Sequence, residues 1–467
     1  MSVLPAAGVT FASEVPVLIV GAGAAGLCAA LAAHERTAPC VLVERDAVPQ
    51  GSTALSAGLI PAAGTRFQRE RGIEDGAALF AADILRKARN EPEPEIVDLV
   101  ARGAAFVVEW LADAYRLPFS LVHDFDYPGH SARRMHGLPS RTGSELVDRL
   151  RDAVENAGIP ILTSATVISL FAEANGRVRG VLAARPDGSS EPIGCGALVL
   201  ACSGFGGNSE LVARHIPEMS KAIYFGHAGN LGDAVRWGEA LGAKLAFMSG
   251  YQGHGSVAHP HGILITWAVI TEGGFQVDAQ GRRFANEATG YSEQAKAVLV
   301  EAEGTAFDIF DERIARIARQ FEDFRKAEAA GAVVSASSVV ELAALLDLPT
   351  SRLVKTFAEV SALKRGRGRD LLGRSFCGSP ELEAPYKAVR VTGALFHTQG
   401  GLVVNRDARV LKFDGSPFPN LLAAGGAAAG VSGSTAAGYL SGNGLLTATV
   451  LGRTAGDQAA LPMGLPP

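Results

Sequence analysis

Val17-Leu18-Ile19-Val20-Gly21-Ala22-Gly23-Ala24-Ala25-Gly26 sets a short apolar run directly against a G-x-G-x-x-G turn. Four consecutive apolar residues, rich in β-branched side chains, suit a parallel strand buried on both faces. Residues 27–36 are Ala-rich and read as a helix; Val41-Leu42-Val43 reads as a second strand, ending at Glu44. Glu44 lies 18 residues after Gly26. Each part answers a need of a bound dinucleotide. Gly21 makes the tight turn, Gly23 lets backbone approach a pyrophosphate, and Gly26 lets helix pack on strand. The helix N-terminus presents free N–H groups to phosphate, and Glu44 can accept hydrogen bonds from ribose hydroxyls. A bare glycine motif is weak evidence; strand, turn, helix, strand and acid in order are strong.

Outward from that unit, 467 residues suffice for two or three domains with their own cores. A composition 48% hydrophobic and 19% charged is that of a globular chain, not a disordered one. Net charge is −5 with no long basic block, which argues against a nucleic-acid partner. The five cysteines (Cys28, Cys40, Cys195, Cys202, Cys377) form no CxxC pair. They read as thiols in a reducing compartment, so a cytoplasmic location is expected. Residues 1–14 lack the basic and apolar regions of a signal peptide. The Ala/Gly-rich run 421–438 suits packing against a ligand better than a membrane span.

Residues 49–59 are small and polar enough to run along a planar ligand. Residues 76–90, 94–114 and 141–157 carry helical periodicity. Strands are expected at 166–170 and 178–184, joined through Asn175-Gly176, and at 197–201, leading into Ser203-Gly204-Phe205-Gly206-Gly207-Asn208. A helix should open at Gly232-Asp233. The character then changes: a hairpin over 274–284 and charged helices at 311–330, 339–346 and 351–364. Strand-like segments return at 401–405, 409–411 and 421–425, before a last helix over 443–456. The expected architecture is α/β: a Rossmann-like domain in two parts, 1–254 and 396–467, interrupted by an α+β capping domain, 255–395.

These motifs resemble the fumarate reductase and succinate dehydrogenase flavoprotein family, including its 3-ketosteroid 1-dehydrogenases. The likeness spans nearly the whole chain. It is carried by the glycine turn with Glu44, segment 51–58, the 203–208 cluster, Gly232-Asp233, His259-Pro260 and Thr271-Glu272. Further on come Arg283-Phe284-Ala285-Asn286-Glu287, His397-Thr398-Gln399-Gly400-Gly401, Ala424-Gly425 and Ser441-Gly442-Asn443-Gly444. The resemblance implies FAD on the Rossmann-like domain, with catalysis where the cap meets it. Implied FAD contacts are Gly21, Gly23, Ala24, Ala25, Gly26, Glu44 and Arg45, then Ser52, Thr53, Ser56, Ala57, Gly58 and Leu59. Val167, Ala201, Ser203, Gly204, Asn230 and Asp233 follow, and finally Gly425, Gly426, Gly442, Asn443, Leu445 and Leu446. Gly426 stands where family members often carry glutamate. Gly51-Ser52-Thr53 has no histidine for covalent attachment, so FAD is expected to be noncovalent.

Reductases of the family hold a dicarboxylate with two histidines, a threonine and two arginines. His259 and His397 match the histidines, and Thr271 follows His259 by 12 residues, as the family's threonine does. At the two arginine positions this chain has Tyr291 and Tyr439, so the bidentate carboxylate clamps are gone. The ketosteroid dehydrogenase branch places tyrosines near both positions, and a third before Pro-Gly, matched here by Tyr127-Pro128-Gly129. The implied reaction is α,β-desaturation of a small or cyclic ketone. Tyr439 and a backbone N–H near Gly442 would hold the carbonyl oxygen; Tyr291 would take the α-proton, with Tyr127 or His259 assisting; the β-hydride would go to flavin N5. Two alternatives stay open: a reductase of an activated C=C bond in an unsaturated acid, and an electron-transfer subunit. The electron acceptor is not legible, and Arg133, Arg134, Arg282, Arg283 or Arg390 could meet a substrate carboxylate.

Overall fold

The computed structural model describes residues 2–123 and 126–462. Strand Ser13–Val20 pairs in parallel with Cys40–Val43 on one side and Ser190–Leu200 on the other, inside a nine-stranded sheet. Consecutive residues Val17, Leu18 and Ile19 are all fully buried, so both faces of the strand are covered. Strand Ser190–Leu200 carries two further neighbours. Its first half pairs antiparallel with Val178–Ala184, and its end pairs parallel with Pro417–Ala423. The C-terminal part of the chain thus returns to the same sheet. Thr166–Ala172 and Val178–Ala184 form the hairpin that Asn175-Gly176 implied.

Helix Ala24–Glu35 begins at once after Gly23. A Cβ at Gly26 would lie 1.9 Å from the Gly21 carbonyl oxygen, so only glycine fits where helix meets turn. Helix Asn443–Ala459 packs along it through Gly452 and Gly456, which rest on the backbone of Ala25 and Ala29.

The second, seven-stranded sheet is built on the 13-residue strand Tyr386–Thr398. It pairs antiparallel with Tyr251–Ala258, Ala306–Asp311 and Val333–Ala336. The divisions expected after residues 254 and 395 fall inside two of these strands. Helix Tyr291–Val300 lies directly on the sheet because Gly253, Gly255 and Gly393 leave it flat. A Cβ at Gly393 would sit 2.4 Å from Ala295 O.

Two local expectations need correction. The 274–284 piece is not a hairpin: Phe275–Val277 pairs with Ala306–Asp311, and the chain after Gly281 leaves the sheet. Its departure follows Arg283, whose guanidinium binds both oxygens of Glu287 and reaches Asp370. Segment 311–330 forms two helices, Glu312–Ala318 and Glu322–Ala329, broken where Phe321 turns into the core.

Glu287 is fully buried, is also approached by Arg374 at 3.3 Å, and accepts the amide of Gln276. It anchors the turn from which the Tyr291 helix starts. Removing it leaves two buried guanidinium groups short of a counter-charge. Glu287→Ala is therefore expected to cost about 3–5 kcal/mol, read as a lower denaturant midpoint of the FAD-loaded protein; an unchanged midpoint would contradict this role.

Candidate active site

The two sheets meet over a cavity lined from both sides. Gly21, Gly23, Glu44, Ser52, Asn230 and Gly425 line it from the base; Gln252 and Tyr291 do so from the cap. Four expected cofactor positions, Gly26, Gly204, Asn443 and Leu446, stand behind the lining. Gly204 has no room for a side chain: a Cβ would lie 2.1 Å from Thr398 Oγ1. Asn443 donates to Ser432 Oγ, and Leu446 is fully buried. The other expected cofactor positions all face the cavity.

The lining fits a flavin dinucleotide. A Cβ at Gly21 would meet Ala201 O at 2.6 Å, so the turn lies flush with the sheet. Glu44 is fixed by two amides, Ala22 N at 2.7 Å and Asp46 N at 3.0 Å. Arg45 pairs with Asp233 at 2.8 Å, while the second Asp233 oxygen is buried without a partner. Helices Ala24–Glu35 and Asn443–Ala459 both begin at glycines with no side-chain cap. Their leading residues line the cavity, so two positive dipole ends face it. The second would favour negative charge on the ring system of a bound flavin.

At the cap side the phenols converge. The Tyr291 and Tyr439 rings are 6.2 Å apart between centroids, and His397 packs edge-on against Tyr439 at 5.6 Å. Tyr127 also lines the cavity. The oxygen of Tyr439 accepts from the Gly444 amide at 3.5 Å, which leaves its own hydrogen free to donate. Burial pushes the Tyr439 phenol upward, against hydrogen bonds from Gly444, Gly442 and Tyr291. Burial also raises Tyr291, helped by the neighbouring Tyr439 and opposed by a hydrogen bond with Ser441. Burial lowers His397 to about 4 and His254 to about 3, so both imidazoles are neutral at pH 7.

The structure does not bring His259 or Thr271 to this space. The His259 amide is tied to Arg390 O, and the Thr271 hydroxyl bonds back to Trp267 O. Beside Tyr291 stand instead His254, stacked on its ring at 4.8 Å, and Trp267 at 6.2 Å. Ser441 and Tyr439 are hydrogen-bonding neighbours of Tyr291. Sequence reasoning missed His254 and Ser441. His254 sits mid-strand with no motif around it, whereas Ser441 was quoted but not weighed.

None of the five arginines that could meet a substrate carboxylate lines the cavity, and three of them are engaged elsewhere. Arg134 is paired with Asp75 and Asp83, Arg283 with Glu287 and Asp370, and Arg133 with Asp126. Arg141 acts on Tyr127 electrostatically without lining the cavity. Among the described residues the only arginine or lysine in the lining is Arg45, beside Glu44.

Such a base and cap define an FAD-dependent oxidoreductase acting on a carbon–carbon bond, and the comparisons with known proteins agree. The sequence family described as FAD binding domain matches residues 16–445. A probable fumarate reductase of Shewanella frigidimarina is 30% identical over 95% of this chain and 74% of its own length. The open conformation of a flavocytochrome c3 fumarate reductase superposes with a TM-score of 0.82, at 28% identity, covering 98% of this chain and 80% of the other. A 3-ketosteroid-Δ4-(5α)-dehydrogenase from Rhodococcus jostii RHA1, in complex with 4-androstene-3,17-dione, gives 0.76 at 25% identity, covering 98% and 100%. The chain belongs to the FAD-binding-domain family of fumarate reductase-type flavoproteins.

Glu44→Ala removes the ribose acceptor and frees two amides. Loss of a charged hydrogen bond costs roughly 1.5–3 kcal/mol, about a 10- to 100-fold weaker FAD affinity by fluorescence titration of apoprotein. FMN, which lacks the adenosine half, should lose nothing; equal losses for both would refute the ribose contact.

Proposed function

We propose that this enzyme desaturates a small or cyclic ketone between its α and β carbons. One observation carries the proposal: where cap meets base, the described lining presents phenols and the neutral imidazole of His397 and no guanidinium. A dicarboxylate would forfeit its charge-assisted clamps there, whereas a ketone needs hydrogen-bond donors at one oxygen. Tyr439 Oη–H supplies one, its oxygen held by the Gly444 and Gly442 amides, and stabilises the negative charge that grows on the ketone oxygen as the α-proton leaves. Tyr291 takes the α-proton and passes it toward Ser441. FAD, when bound, accepts the hydride from the β-carbon. Apolar walls from Leu59 and Met135 keep water out, and fit a neutral carbon skeleton.

The fumarate reductase relative keeps the reverse reaction in view, reduction of an activated C=C bond. Among the described residues, the lining beside Tyr291 and Tyr439 holds no arginine or lysine, which favours a ketone over an acid in either direction. We take the cap to span 251–398, from the start of strand Tyr251–Ala258 to the end of strand Tyr386–Thr398. With no histidine at positions 51–53, FAD is noncovalent and acid precipitation should release it. All five thiols are free, which supports a reducing, cytoplasmic setting. No helix among the described residues is long and apolar enough to cross a membrane. Electrons leave to a separate acceptor.

Anaerobic mixing tests the proposal: a saturated cyclic ketone should bleach the oxidised flavin, and Tyr439→Phe should slow bleaching by roughly 10²–10³-fold. Bleaching by no ketone, with reoxidation of reduced flavin by fumarate-like acids alone, would overturn it. Turnover unaffected by Tyr291→Phe would favour an electron-transfer subunit.

A raised Tyr291 predicts a pH profile. The base must be phenolate, and its fraction grows with pH until the folded-state pKa, which burial holds above the usual value of about 10. The bleaching rate should therefore rise about tenfold per pH unit from 6 to 9 without a plateau. A profile flat across that range would exclude Tyr291 as the base.

A further inference from the structure

We propose that His130 is a positioning residue for the reaction: it holds the Ser441–Gly442 peptide so that the Gly442 amide faces the Tyr439 oxygen, whose own hydrogen meets the substrate oxygen. The inference rests on the ketone proposal above and deepens it. His130 Nε2 lies 3.0 Å from the Ser441 carbonyl oxygen, and its Nδ1 lies 3.3 Å from Arg134 Nη1. A guanidinium can only donate, so Nδ1 must accept and the ring proton sits on Nε2. Nε2–H therefore donates to Ser441 O. Burial and the Arg134 charge lower His130 to about 4, which keeps this neutral tautomer at working pH.

The Ser441 carbonyl and the Gly442 N–H belong to one planar trans peptide and point in opposite directions. A carbonyl drawn toward His130 turns that N–H the other way, toward the Tyr439 oxygen that shares the lining with Gly442. Gly442 has φ +84°, and a Cβ there would lie 2.6 Å from Pro61 Cδ, so no other residue could take this turn without strain. A glycine peptide is free to flip, and His130 removes that freedom.

His130 is itself braced. Arg134, fully buried, binds Asp75 through two nitrogens at 2.9 Å each and Asp83 at 2.6 Å, with Phe80 against its face at 4.6 Å. Asp83 also accepts from Ser131 N and Oγ, one residue beyond His130. This ionic cluster lies outside the cavity lining, and its reach to the site runs through His130 to Ser441.

The experiment compares wild type, His130→Ala and His130→Gln, each loaded with FAD. Gln can still donate an N–H to the carbonyl; Ala cannot. Expected for His130→Ala is a limiting rate of flavin bleaching by a saturated cyclic ketone lowered about 10- to 100-fold, with the ketone Kd within about threefold of wild type. Affinity for a phenolate, which mimics the enolate, should fall in parallel, and His130→Gln should recover most of both losses. FAD content and thermal midpoint should match wild type. A His130→Ala enzyme as fast as wild type overturns the inference and leaves the ketone proposal standing. So does a loss that follows FAD content and is not rescued by Gln. A wild-type enzyme that no ketone bleaches overturns both.

Discussion

Two helices lie backbone to backbone at the centre of this protein, and the site is built on their contact. A Cβ at Gly452 would lie 2.4 Å from Ala25 O, and one at Gly456 would lie 2.1 Å from Ala29 O. The pairing order makes the helices parallel, so both N-termini face the same cavity. Gly452 is nine residues into its helix, whereas Ala25 stands at the start of its own. At about 1.5 Å per residue, Asn443 therefore projects about 14 Å beyond the glycine turn. One dipole end would suit the phosphates of a bound flavin dinucleotide and the other its ring system.

Above that base, the cap works by flatness and by neutrality. Glycines at 253, 255 and 393 let helix Tyr291–Val300 sit directly on its sheet, which aims Tyr291 down at the cavity. Buried ion pairs on the far side of the cap, centred on Glu287, hold the turn before it. Charge is thus concentrated where it braces the fold and kept from the wall where the substrate would rest. In a water-poor site that wall penalises an unpaired carboxylate far more than a ketone.

The sequence showed the base more clearly than the cap. The glycine turn, Glu44, the Asn175-Gly176 hairpin and helix Pro94–Ala114 were legible because local chemistry dictates them. Strand Tyr386–Thr398 was not: Gly393 interrupts its pattern, and the glycine is there only because a helix from elsewhere lies on it. Tyr291 and Tyr439 meet across the interface, their ring centroids 6.2 Å apart. Spacing to His259 misled in a different way, since a strand fixes sequence distance but not which face the next turn presents. His254 reaches Tyr291 from that strand's interior, a tertiary contact with no local signature.

The central claim is that phenols, not guanidinium groups, meet the substrate oxygen. A crystal structure of the FAD-loaded enzyme with a cyclic enone product measures this directly. The account predicts the carbonyl oxygen within hydrogen-bond distance, about 3 Å, of Tyr439 Oη, with Tyr291 Oη over the α-carbon. A ligand held instead through a carboxylate on an arginine, with either phenol turned away, would contradict it.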